Sequence, residues 1–106
     1  MPWVYLVIAG LFEIVWAFAM KQSDGFTRPG PTIVTIAAMI ASFALLSLSM
    51  KSLPLGTAYT IWTGIGAVGA FLVGIAMLGE AANAMRIVAA LLIVAGLVLM
   101  KISTPA

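Results

Sequence analysis

Residues 3–20 read WVYLVIAGLFEIVWAFAM, a run in which Glu13 is the one charged side chain. As a helix rising about 1.5 Å per residue, this run nearly crosses a hydrocarbon core roughly 30 Å thick. Glu13 then lies close to the midplane, between Ala9, Gly10, Leu11 and Phe12 on one side and Ile14, Val15, Trp16 and Ala17 on the other. An ionised group there costs about 2.5 kcal/mol or more even on lenient insertion scales, so a chain keeps one only with help or for use. The remaining segments are expected to enclose, tune and alternately expose Glu13.

Composition supports the membrane reading. Of 106 residues, 64% are hydrophobic and only 8% charged, with a mean hydropathy of +1.24. An average soluble domain is about 25% charged. A chain this short has no single core able to absorb so much apolar surface, and an integral membrane protein is the class that fits. With no Cys and no His, neither a disulfide framework nor the usual metal ligands are available. A carboxylate has to carry any proton moved near neutral pH. The net charge of +2 is small and scattered, which argues against a nucleic-acid partner. Ala17-Phe18-Ala19 mimics a signal-peptidase site, but no basic residue precedes the run and Glu13 interrupts it, so cleavage is not expected.

Three more apolar segments follow, giving helices expected at about 3–20, 32–50, 56–78 and 85–102. The first is expected to end at Lys21-Gln22-Ser23-Asp24-Gly25, with Pro29-Gly30-Pro31 stopping helical order before the second begins. Lys51 and Pro54 close the second, Gly79-Glu80 the third. Between Arg86 and Lys101 the fourth is only about 21 Å long, but its end cations can snorkel. Loops this short leave no room for a soluble domain. The expected fold is all-α, a single four-helix transmembrane domain over residues 1–106.

Orientation is poorly specified. The side holding both termini and the second loop carries Lys51 and Lys101, and the other carries Lys21, Arg28 and Arg86. Such a slight bias either suffices or allows insertion both ways round. In the second case two copies can pair head-to-tail, forming the inverted repeat that larger transporters encode in one chain.

Helical spacing aligns Ala9, Gly10, Glu13, Trp16, Ala17 and Met20 on one stripe of the first helix. Small residues such as Gly10 admit a neighbouring helix or leave space for a ligand, and Trp16 sets an indole near the carboxylate. A matching face on the third helix holds Tyr59, Trp62, Thr63, Gly66 and Ala70. Its aromatics either pack helices or stack on a flat cation beside the acid. Gly64-Ile65-Gly66-Ala67-Val68-Gly69 fits a dinucleotide-binding pattern, but it lacks the preceding strand that pattern requires. Gly64, Gly66 and Gly69 read instead as packing or hinge positions. Ser42 on the second helix either bonds back to its own helix or orients Glu13. The fourth helix has no interior polar group and reads as a packing or dimer helix. Lys101 at its end is either a snorkelling anchor or a cation at the pocket mouth.

Together Glu13, Gly25-Phe26-Thr27-Arg28, Ser42 and Ala58-Tyr59-Thr60-Ile61-Trp62-Thr63-Gly64-Ile65-Gly66 resemble the small multidrug resistance family of transporters over essentially the whole chain. Phe12-Glu13-Ile14-Val15-Trp16 and Lys101 resemble its guanidinium exporter subtype; the quaternary-ammonium subtype typically lacks the Trp. The resemblance implies a multi-pass protein of the bacterial inner membrane, working as an antiparallel, dual-topology homodimer. Protons and a small cation would exchange at Glu13, with no cofactor and no enzymatic step. Guanidinium suits these residues on chemical grounds too, because its N–H edge matches a carboxylate fork and its faces match Trp and Tyr. The rivals are a promiscuous exporter of aromatic or quaternary ammonium cations, a channel, and a non-transporting accessory subunit.

Overall fold

A computed structural model describes residues 2–104 and contains four helices: α1 (Pro2–Gln22), α2 (Pro29–Ser49), α3 (Leu55–Leu78) and α4 (Ala84–Ser103). Each is long and apolar enough to cross a membrane. Their bounds depart from the expected ones most clearly at α2, which begins at Pro29 rather than residue 32. Pro29-Gly30-Pro31 therefore starts a helix instead of blocking one. The N–H groups of a first turn have no intrahelical acceptor, so proline loses nothing there and supplies a helical φ.

Between α1 and α2 the chain turns through three successive left-handed residues, Asp24 (φ 52°), Gly25 (φ 71°) and Phe26 (φ 65°). That conformation is unusual for a bulky residue. Buried Ser23 holds it, donating to the Met20 carbonyl at 2.7 Å and accepting from the Phe26 N–H at 3.1 Å. α3 ends at Gly79, also left-handed (φ 69°), where the Glu80 N–H returns to the Gly74 carbonyl at 3.0 Å. Asn83 caps α4 by accepting from the Arg86 N–H at 2.9 Å.

The helices stand in a row. α1 packs along both α2 and α3, α2 and α3 barely touch, and α4 joins through α3. Three interaxial steps of about 8–10 Å account for the breadth of a slab measuring 43 × 35 × 16 Å. No residue of α4 is buried.

Packing along the row is uneven. Leu6, Ala9, Leu46, Leu53, Ala58, Ile61 and Trp62 form one core, drawn from the start of α1, the end of α2 and the start of α3. Past Glu13, toward the other membrane face, Ala19, Thr35 and Ala38 are buried as well. An open apolar groove of about 470 Å³, bounded by Ile14, Phe18, Val34 and Met77, lies there on the face of α1 turned away from Glu13.

Candidate functional site

α1 and α3 approach closely because glycine lies where they cross. A methyl on Gly10 would come within 2.6 Å of Ile65, and one on Gly69 would overlap Ile14. Between these contacts the Glu13 carboxyl group occupies the space that a Gly66 side chain would need. Gly66 is thus the floor under the acid. Gly64 faces elsewhere, against Leu97 of α4. α3 runs unbroken through all three glycines.

Glu13 Oε1 is buried and has no hydrogen-bond partner among the described residues. The indole Nε1 of Trp16, one turn further along α1, is buried and unpartnered in the same way. A buried polar group left unpaired costs about 1–3 kcal/mol. An acceptor and a donor left unpaired on one helix face call for an explanation that helix packing alone does not give.

Ser42 does neither of the two things expected of it. Its hydroxyl donates to the Ala9 carbonyl at 2.7 Å, crossing from α2 to α1, and accepts the Trp62 indole N–H at 2.9 Å. In an α-helix the Ala9 carbonyl is also the acceptor for the Glu13 backbone N–H. The chain Trp62–Ser42–Ala9 therefore ties three helices together at the turn that carries Glu13, through its backbone and not its carboxyl group. Ser42 is wholly buried and Trp62 nearly so, which makes the link a dry one.

Around this link runs a continuous aromatic wall. Trp16 meets Phe43 edge-on with centroids 6.3 Å apart. Phe43 meets Trp62 at 5.6 Å, and Trp62 meets Tyr59 at 5.6 Å. Phe43 escaped the sequence reading although it completes the connection between the two tryptophans. A phenyl group in an apolar span carries no chemical signal; its adjacency to Ser42 was the one available clue. Tyr59 and Phe43 are about half exposed, so the wall opens outward from the row of helices. Thr63 is exposed, and no side-chain hydrogen bond joins it to these groups among the described residues.

Lys101 is not at the mouth of this pocket. Its Nζ lies 4.4 Å from the centre of the Trp3 ring. Trp3 precedes Glu13 by about 15 Å along α1. Lys101 extends from the last turn of α4, and α4 ends at the membrane face where α1 begins.

A row of four helices long enough to span a bilayer, with a buried acid resting on Gly66 one turn from Trp16, fits a small multi-pass membrane transporter rather than an enzyme. The chain belongs to the Small Multidrug Resistance protein family, whose family model matches residues 1–103. It is 57% identical over 104 residues, 98% of this chain and 99% of the relative, to the guanidinium exporter of Escherichia coli (strain K12). The guanidinium exporters of Citrobacter freundii and Klebsiella oxytoca are as similar over the same shares. Its spans and its enterobacterial relatives make it a protein of the bacterial inner membrane.

Proposed function

We propose that this protein exports guanidinium and small guanidinyl cations in exchange for protons, as an antiparallel homodimer in which proton and cation compete for the Glu13 of both subunits. The observation that carries the proposal is the Glu13 carboxyl group, bedded on Gly66 with a buried, unpartnered oxygen one helical turn from Trp16, where an aromatic wall begins. A planar cation offers that oxygen a charge-assisted N–H donor and presents its face to Trp16 or Trp62. A proton satisfies the same oxygen, so the two ligands exclude each other. Near-full-length identity to proteins named guanidinium exporters supports the choice of cation.

Alternating access would follow from the dimer: two oppositely inserted copies would give the site one opening at a time if each took a different conformation.

Proteoliposomes loaded at low pH and diluted into neutral buffer containing labelled guanidinium test this. Uptake should follow the pH gradient, saturate, and be lost in Glu13→Gln, which can neither release a proton nor pair with a cation. Gradient-independent, unsaturable flux would mean a channel. A preference for tetraalkylammonium over guanidinium would overturn the substrate assignment.

A further inference from the structure

On the same face of α1 as the groove described above, but nearer the start of that helix, α1, α3 and α4 enclose a second groove of about 310 Å³. Trp3, Val7, Ile65, Leu97 and Lys101 are among its walls. It begins at one end of the membrane-spanning segments, where Trp3 opens α1 and Lys101 closes α4, and it descends between apolar side chains toward mid-span. At its mouth the exposed Lys101 ammonium lies over the Trp3 ring, while the Trp3 indole Nε1 is buried without a hydrogen-bond partner. A cation and an orphaned N–H donor above an apolar trough match an anionic phospholipid, with its phosphate at Lys101 and an acyl chain along Val7, Ile65 and Leu97.

We infer that the α1–α3–α4 groove is a binding site for one anionic phospholipid. The site is separate from Glu13, and the inference does not depend on which cation is exported. Charge complementarity selects the lipid class. Trp and Lys are suited to this level of the bilayer, where the ring lies among headgroups and the ammonium reaches phosphate. An acyl chain in the trough would also join α4 to α1, whose backbones do not approach each other and which meet through Lys101 and Trp3. In a head-to-tail dimer each leaflet would hold one such lipid.

Native mass spectrometry of the detergent-solubilised protein, titrated with phosphatidylglycerol or phosphatidylcholine of identical chains, is the test. Phosphatidylglycerol should be retained about fivefold better, the gain expected from one well-placed lysine. Lys101→Gln should remove that preference and Trp3→Phe should reduce it. Lys51→Gln, which removes an exposed cation from another loop at the same membrane face, should leave it intact. Equal retention of the two lipids would overturn the inference, as would an equal loss in Lys51→Gln, which would indicate diffuse surface charge. A second copy of the chain occupying the groove is another adverse result, detected if cysteines at Val7 and Val98 cross-link between subunits and lipid fails to compete.

Discussion

At the scale of single residues, Gly66 and Ser42 fix where Glu13 can be. Gly66→Ala would set a methyl group in the volume of the carboxyl group, which has to move. Overpacking of this kind costs about 1–3 kcal/mol. Guanidinium affinity, read from quenching of tryptophan fluorescence, should therefore fall about tenfold or more. Gly56→Ala, where a methyl group meets nothing within 4 Å, should bind normally. Ser42→Ala removes the acceptor for the Trp62 indole and leaves a buried donor unpaired. That loss is worth about 1–3 kcal/mol, and it should appear as weaker substrate binding together with a shifted Trp62 emission. Ser42→Thr, which restores a hydroxyl, should recover part of both. Glu13 itself was legible from the chain alone, because an acid amid so much oil has few explanations. Gly66 as its floor was not, since one glycine in a run of several looks like any packing position. The partner of Ser42 was equally hidden: a hydroxyl's choice between its own helix and the next depends on interhelical distance, which spacing within one segment does not contain.

At the scale of elements, helix count and order followed from apolar length, whereas their limits depended on capping chemistry. Pro29-Gly30-Pro31 was misjudged because proline halts a helix that arrives from its N-terminal side and begins one that departs. α4 is more exposed to its ends. It has no buried residue and its backbone approaches α3 alone, so the cap that starts it matters more than it would in a well-packed helix. Asn83→Ala removes the side-chain acceptor for the Arg86 N–H and should cost about 1 kcal/mol. The readout is a lower midpoint for thermal unfolding in detergent, with guanidinium binding retained, because Asn83 lies far from the aromatic wall. An equal loss of binding would instead implicate the α3–α4 turn in the transport cycle. Glu80, which pairs with Arg86 at 3.7 Å and folds back over Gly74, closes the same turn from its other side.

At the scale of the whole molecule, the slab is the argument for a second copy. A row of helices 16 Å thick places residues on one side or the other of a site but surrounds nothing. The half-exposed Phe43 and Tyr59 need a second surface to become the inner wall of a pocket. In the proposed dimer α4, which offers its whole length, would be the contact between copies, and the direction of that contact would decide the mechanism. In an antiparallel pair, Met85 at the start of one α4 approaches Ser103, five turns on along the same face, at the end of the other. Both are exposed, Met85 to 83%, so cysteines at either position are available for cross-linking. Met85→Cys alone and Ser103→Cys alone should give little disulfide-linked dimer in membranes, since like ends are then about 27 Å apart along the helix. Co-expression of the two variants should give abundant dimer. A parallel pair reverses the pattern, each single variant linking to itself, and that result would remove the inverted symmetry on which exchange through a shared pair of Glu13 residues depends. Disulfides require Cα atoms within about 7 Å, so the two outcomes do not blur into each other.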